Sequence, residues 1–262
     1  MLRSMYSGIS GMRNFQQKLD VVGNNIANVN TYGFKKGRAT FKDMVSQQIA
    51  GATGPTGDRG GVNPRQVGLG AQLGSIDTIH TQGSLQSTNR ELDIGISGDG
   101  FFQVTDGAMT FYTRAGNFYF DAEGTIVNGD GLKLLGTNGD IQIPTSSESF
   151  SIGADGTVSY VDEDGDLQEA GQIELAQFDN PEGLQKAGNN LYQVSDNSGD
   201  ATQGVPGAGG AGELVAGTLE MSNVDLSEEF TEMIVAQRGF QANTRGITTA
   251  DEILQELMNL KR

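Results

Sequence analysis

The chain has 262 residues, of which 33 are acidic and 17 basic, so its formal net charge is −16. Its length and its 36% hydrophobic content suffice to bury a core in one large domain or in two to three small ones. The negative charge argues against nucleic-acid binding, because contact with phosphates requires a basic surface. Cysteine is absent, which excludes disulfides, thiolate catalysis and cysteine-based metal sites. No apolar run approaches the ~20 residues of a membrane span, and no signal-peptide pattern opens the chain, so we expect no membrane insertion and no cleaved signal.

An amphipathic helix is predicted over residues 1–28. Its apolar residues are spaced by threes and fours, and they are Leu2, Met5, Ile9, Met12, Phe15, Leu19, Val22 and Ile26. Gly8, Gly11 and Gly23 weaken this helix in isolation. Residues 1–42 carry seven bases and one acid. This basic end, with Lys35 in its cluster, could therefore meet an acidic partner surface.

Residues 29–72 are predicted to form an extended connecting segment. Asn28, Asn30 and Gly33 break the helical spacing, and residues 51–70 contain seven glycines and two prolines. Such a composition does not hold a core. The segment is either an idle flexible loop or a functional spacer between layers of an assembly, and the sequence leaves both open.

Short apolar runs with close-spaced turn signals predict an all-β domain over residues 73–223, with a glycine-rich loop at 197–213. The turn at 162–166 has its glycine at the wrong position for an EF-hand, which favours a hairpin over a calcium loop. His80 is the only histidine. We therefore predict a lone surface or loop histidine, no metal site, no cofactor and no catalytic centre.

The clearest period in the sequence lies in the last forty residues. Leu226, Met233, Phe240, Ile247 and Leu254 fall seven apart, and Phe230 widens the same stripe. Asp225 followed by Glu228 is typical of a capping box, whereas Gly239 and Gly246 each weaken the helix by roughly 1 kcal/mol. Residues 223–262 hold seven acids and four bases, so pairing with the basic first helix, antiparallel or side by side, is charge-complementary.

These patterns predict a mixed α and mainly β fold, in which residues 1–28 and 224–262 form a coiled coil around a central all-β domain. The alternative is that each terminal stretch is an ordinary amphipathic helix packed on one globular core. We expect both helices to be marginal alone and to become ordered on packing against neighbours.

Three stretches resemble the bacterial flagellar axial proteins, the rod and hook subunits. They are NNIANVNTYGFKK near the start, GDGFFQV with YTRAGNFYFDAEGTIVNGDG in the middle, and SNVDLSEEFTEMIVAQRGFQANTRGITTADEILQEL at the end. The resemblance spans the whole chain and is closest to short hook subunits of Bacillus-type bacteria, with distal rod subunits next. The glycine- and proline-rich segment favours a compliant hook, whereas the lack of the additional outer β domain that many hook subunits carry keeps the rod alternative open.

The resemblance implies a structural subunit that polymerises into a helical tube outside the cell membrane and transmits torque from motor to filament. Its implied partners are further copies, the distal rod, hook cap and hook–filament junction proteins, and the type III export apparatus. The first stretch supplies the family motif residues Asn24, Asn25, Asn28, Asn30, Gly33 and Phe34. The residues predicted to line the helical seams of the assembly are Leu2, Met5, Ile9, Met12, Leu19, Val22, Ile26, Leu226, Phe230, Met233, Phe240, Ile247 and Leu254.

Two hypotheses from other classes stay open at this point. One is an extracellular β-rich glycan-binding protein or enzyme with helical ends, which a convergent acid pair in a deep cleft would favour. The other is an acidic adaptor with a helical stalk that forms small closed oligomers instead of filaments.

Overall fold

Both ends of the chain are helical in the computed structural model, which describes residues 2–55, 57 and 60–259, apart from the side chains of Leu2 and Leu257. Helix α1 spans Leu2–Ala27 and helix α2 spans Leu226–Asn259. Helix α2 begins where the capping box predicts, because the carboxylate of Asp225 accepts a hydrogen bond from the amide of Ser227 at 2.8 Å. The mixed α and mainly β fold class is confirmed.

The chain divides into a helical unit and a β unit. The helical unit comprises residues 1–27, 37–77 and 225–262, and the β unit comprises residues 28–36 and 78–224. The boundaries differ from those expected from the sequence. The described part of 37–77 belongs with the helices and 28–36 with the β unit, whereas the sequence predicted one separate connecting segment over 29–72.

Four strands accompany the helices, and they are β1 (Gly37–Asp43), β2 (Gln47–Ala50), β3 (Arg65–Val67) and β4 (Ala71–Thr78). Strand β1 pairs with β4, and β2 pairs antiparallel with β3. A further antiparallel bridge joins Thr53 to Val62. The glycine-rich stretch thus lies within a paired hairpin, because backbone hydrogen bonds can organise a segment that is too poor in apolar side chains to form a core.

Helices α1 and α2 pack against each other in antiparallel orientation. Gly8 near the start of α1 lies beside Ile247, and Asn25 near its end donates to Glu229. A side chain on Gly239 would place its Cβ 2.5 Å from the ring of Phe15. Three glycines, Gly8, Gly11 and Gly239, therefore allow the helices to approach closely.

The β unit contains seventeen strands among its described residues. They are β5 (Leu85–Ser87), β6 (Ile94–Ser97), β7 (Phe101–Thr105), β8 (Thr110–Thr113), β9 (Tyr119–Phe120), β10 (Ile126–Val127), β11 (Lys133–Gly136), β12 (Gly139–Asp140), β13 (Ser149–Ile152), β14 (Thr157–Val161), β15 (Leu167–Gln172), β16 (Leu175–Gln177), β17 (Gln185–Gly188), β18 (Leu191–Gln193), β19 (Thr202–Gly204), β20 (Glu213–Ala216) and β21 (Thr218–Glu220). A 3-10 turn spans Pro181–Gly183.

The largest sheet has ten strands, with the order β17-β18-β8-β7-β11-β10-β9 and with β12, β16 and β19 attached beside this path. Strands β13, β14 and β15 form a separate antiparallel sheet, and β20 pairs with β6 and β21 with β5. The acidic turn between β14 and β15 is a hairpin, as predicted, because the amide of Gly165 donates to the carbonyl of Asp162.

Apolar residues from these strands form the core of the β unit. Its centre is a cluster of buried side chains that includes Ile94, Ile96, Phe102, Phe118, Ile126, Leu134, Ile173 and Leu175. A smaller cluster contains Phe101, Tyr112, Ala176, Leu184 and Tyr192. The β unit therefore has an apolar core of its own, as short strands with one buried face require.

Two glycines of α2 offer a matched test of the helix pair. Gly239→Ala must displace the Phe15 ring, whereas no atom lies within 4 Å of a Cβ on Gly246. We expect Gly246→Ala to stabilise the helix by about 1 kcal/mol, and Gly239→Ala to be less stable than Gly246→Ala by roughly 1 to 3 kcal/mol. Urea unfolding followed by the helical circular dichroism signal measures both. Equal stabilisation by the two substitutions would contradict the close packing of Phe15 on Gly239.

Candidate assembly site

The residues predicted to line the helical seams do not all occupy one contact line. In α1, Val22 is buried and Met5, Ile9, Met12, Leu19 and Ile26 are half-buried, while the side chain of Leu2 lies outside the described part. In α2, Met233, Phe240, Ile247 and Leu254 are half-buried. Leu226 and Phe230 are 40% and 50% exposed, so neither is enclosed within this copy of the chain.

The most buried line of α2 is displaced by three residues from the predicted stripe. Glu229, Ala236 and Ala250 are buried, and the side chain of Asn243 lies against Gly11 of α1. These four positions are also spaced by seven. Sequence reasoning missed these four positions because it looked for large apolar residues, and it also left Phe15 out of the seam. Ala236 and Ala250, two small residues fourteen positions apart, were the available signal, since small residues permit close helix contact.

Polar contacts fix the register of the helix pair. Lys18 and Glu232 form an ion pair, and the hydroxyl of Thr244 donates to the sulfur of Met12 at 3.3 Å. The Lys18–Glu232 ion pair is partly exposed, so it adds little to stability, although it favours one alignment of the two helices.

Asn25, one of the family motif residues, joins three segments of the helical unit. Its Nδ2 donates to the carbonyl of Gly37 at 2.9 Å and to Glu229 at 3.2 Å, and its Oδ1 accepts from the amide of Gly37 at 2.9 Å. It is buried, with 2% of its surface exposed. The side-chain amide thus holds the start of β1 and the first turn of α2 against α1, with both its donor and its acceptor used.

The other motif residues lie in different surroundings. Asn24 is exposed on α1 and Asn30 is exposed in the turn after it. Asn28 begins this turn, where its Oδ1 accepts from the Thr31 hydroxyl at 3.1 Å. Phe34 is buried in the β unit, with the ammonium of Lys186 5.4 Å from the centre of its ring.

Gly33 occupies a position that only glycine fits. Its φ is +66°, and a Cβ there would lie 2.5 Å from the amide nitrogen of Ala115. Its own amide donates to the carbonyl of Glu220 at 2.8 Å. The backbone at Gly33 therefore passes directly against the backbone of Arg114 and Ala115 within the β unit.

Lys35 is fully buried in the β unit, which corrects its assignment to an exposed basic cluster. Its ammonium donates to Glu220 at 2.6 Å and to the carbonyl of Thr81 at 2.8 Å. Arg114 lies on the other side of Glu220, 3.4 Å from its second carboxylate oxygen. Burial lowers the pKa of both Lys35 and Arg114, and the negative charge of Glu220 opposes that shift.

The shared carboxylate makes Glu220 the critical member of this buried network. Glu220→Gln leaves two buried cations without their anion, and we expect it to destabilise the protein by about 3 to 5 kcal/mol. Lys35→Met leaves the Arg114–Glu220 pair and should cost less. Lys133→Met is the control, because Lys133 and Asp140 form an exposed pair that adds little to stability. Urea unfolding of the three variants gives the ranking, and a cost for Lys35→Met that exceeds that of Glu220→Gln would contradict it.

His80 lies in a loop, as predicted, but its ring nitrogens are buried instead of facing solvent, and neither has a hydrogen-bond partner among the described residues. The ring packs edge-on against Phe101 and Tyr192, at centroid distances of 5.5 and 5.4 Å. Burial, together with the positive charges of Lys35, Arg114 and Lys186, lowers the pKa of His80 from 6.5 to about 4. The imidazole is therefore neutral at physiological pH.

This burial makes the β unit sensitive to acid. The folded state keeps His80 neutral down to pH of about 4, whereas the unfolded state gains a proton near pH 6.5. Unfolding is thus favoured as the pH falls through this window, by up to about 3 kcal/mol. His80→Phe should abolish this pH-dependent loss of stability. Urea midpoints of both proteins measured from pH 7.5 to pH 4 check it, and a wild-type-to-variant difference that does not change with pH would contradict it.

A cavity of about 470 Å³ lies beside His80, lined also by Asp99, Phe101, Arg114 and Phe178. Within the described part of the chain, no group of three or more histidine or acidic side chains could hold a metal ion. Neither described helix combines the length and the apolar character needed to cross a membrane.

Three parts of the chain match models of known protein families. Residues 5–35 match the flagella basal body rod protein family, residues 95–160 the flagellar hook protein FlgE/F/G D1 domain, and residues 215–260 the flagellar basal body rod FlgEFG protein C-terminal family. The first and last matches contain most of α1 and α2, and the middle match lies in the β unit. The three matches follow one another in the order of the resembling stretches.

Full-length relatives agree with these matches. The chain is 62% identical over 264 residues to the flagellar basal-body rod protein FlgG of Bacillus subtilis (strain 168), with 100% of both chains covered. It is 40% identical over 269 residues to FlgG of Borreliella burgdorferi and 33% identical over 441 residues to the flagellar hook protein FlgE of the same organism, again with both chains covered completely. The chain therefore belongs to the flagellar rod and hook protein family, whose members are structural proteins of the flagellum.

Proposed function

We propose that this chain is a distal rod subunit of the bacterial flagellum, which polymerises with its neighbours into a rigid shaft that transmits torque. The relationship to rod proteins over their full length carries this proposal. The alignments with the two rod proteins span 264 and 269 residues, close to the 262 of this chain. The alignment with the Borreliella hook protein spans 441, so at least 179 of its positions, 441 less 262, have no counterpart here.

The hook function favoured by the sequence analysis is the weaker candidate. It rested on a flexible glycine- and proline-rich segment, yet strands β2 and β3 pair across that segment and a further bridge joins Thr53 and Val62. A paired hairpin is stiffer than a random coil of the same composition. The main physical argument for a compliant joint is thereby weakened, and the shorter alignments with rod proteins favour the shaft.

Each copy must contact others through two different surfaces if the polymer is to grow without closing. The exposed Leu226 and Phe230, predicted as seam residues, are available for contacts between copies because they are not enclosed within one copy. The half-buried Met233, Phe240, Ile247 and Leu254 can add to such contacts. The proposed partners are further copies of this chain and the adjoining rod and hook subunits, reached outside the cell membrane after type III export.

Electron microscopy of basal bodies from a strain that lacks this chain tests the proposal. A rod subunit is needed before any hook can be added, so we expect truncated rods without hooks. Restoring the wild-type chain should restore complete rods. Complete rods that end without hooks would instead indicate a hook subunit, and intact flagella would contradict both functions.

A further inference from the structure

An apolar groove lies on the face of α1 that carries Arg3, Tyr6, Ser10, Arg13 and Gln17. These residues are spaced by threes and fours, so they share one side of the helix. The groove has a volume of about 680 Å³, and its second wall is the chain around Met44 and residues 69–73. All of these residues belong to the helical unit.

Backbone contacts fix the second wall of this groove. The amide of Met44 donates to the carbonyl of Gly70 at 2.8 Å. Gly70 has a φ of +128°, and a Cβ there would collide with the hydroxyl of Ser10, so the wall lies directly on α1. Apolar lining comes from Ile9, Leu69 and Leu73. The groove is thus formed by backbone contacts within the helical unit.

The charges of the groove have one sign. Among its lining residues Arg3 and Arg13 are charged, and none is acidic. The apolar lining remains accessible, since Tyr6 is 68% exposed and Leu69 is 38% exposed. A segment that fits this groove would present apolar side chains and carry negative charge.

Helix α2 supplies such a segment. Leu226, Phe230 and Ile234 are exposed and four residues apart, so they form a stripe that turns by only about 40° per step. Residues 225–237 carry four acids and no base. Glu229 is buried and Glu232 pairs with Lys18, while Asp225 is exposed. The first three turns of α2 therefore combine an open apolar stripe with negative charge.

We propose that the groove on α1 of one copy binds the Leu226–Phe230–Ile234 stripe of a second copy, an inference that rests on the proposed polymeric function. The stripe, about 12 Å long, is short enough to fit along the α1 side of the groove, which is about 21 Å long. Arginines in the groove meet acids beside the stripe. Groove and stripe are different surfaces of one chain, so this contact repeats head to tail and extends a filament.

The absence of cysteine allows a direct test with single thiols. Purified full-length Tyr6→Cys and Phe230→Cys chains are mixed and treated with a short bismaleimide. We expect a cross-linked product that joins position 6 of one chain to position 230 of another. The control is Leu167→Cys mixed with Phe230→Cys, because Leu167 is 72% exposed but lies in the β unit. The yield of the cross-link between positions 6 and 230 should exceed the yield of the cross-link between positions 167 and 230 several-fold.

A charge reversal tests the electrostatic part of the contact. Introducing Arg13→Glu into the Tyr6→Cys chain should lower the yield of the cross-link between positions 6 and 230 several-fold. The control is Arg38→Glu in the same chain, because Arg38 is exposed and lies outside the groove, and it should leave this yield unchanged. If the cross-link between positions 6 and 230 forms in no greater yield than the Leu167→Cys control, the proposed contact is wrong. If sedimentation then still shows polymers, the proposed function stands and only the contact is wrong. Monomers at every concentration, without cross-links, would contradict both.

Discussion

The structure of the helical unit depends on the close antiparallel contact between α1 and α2. This contact brings the two ends of the sequence together, so that the strands of 37–77 can be held beside both helices by Asn25. Close approach requires small residues at the crossing, and Gly8, Gly11, Gly239 and Ala236 supply them. Glycines that weaken an isolated helix are thus needed once the helix has a partner, because the packing gained offsets the lost helix propensity.

The β unit depends on a different kind of interaction, a buried carboxylate shared by two cations. Glu220 on β21 binds Lys35 and Arg114, and the amide of Gly83 donates to it as well, at 2.9 Å. Burying three charges is costly, so such a network favours the one arrangement in which all are paired. It ties the short 28–36 segment to strands that are far away in sequence. Burial lowers the pKa of the nearby His80, and the positive charges of Lys35 and Arg114 in this network lower it in the same direction.

Local features of the sequence predicted most of the secondary structure. Short apolar runs with turn signals predicted the β structure of residues 73–223, and Asp225 located the start of α2. Such local features could not predict that Lys35 is buried. It is followed by Lys36 in sequence, and its partner Glu220 is 185 residues away. A single ion pair between distant residues leaves no periodic pattern in the sequence. The pairing of β2 with β3 was missed for a related reason, since its order comes from backbone hydrogen bonds that composition does not reveal.

The seam of α2 shows why the strongest pattern in a sequence need not mark the closest contact. Two sets of residues recur every seven positions, a large apolar set that includes Leu226 and a second set that includes Ala236 and Ala250. Within one copy these two alanines are buried, because close helix contact leaves little room for large side chains. Large apolar side chains at exposed positions are a liability in a monomer, since they promote association. In a subunit that must associate, the same residues provide a second surface, and a chain with two distinct surfaces on its helix pair can grow in one direction without closing.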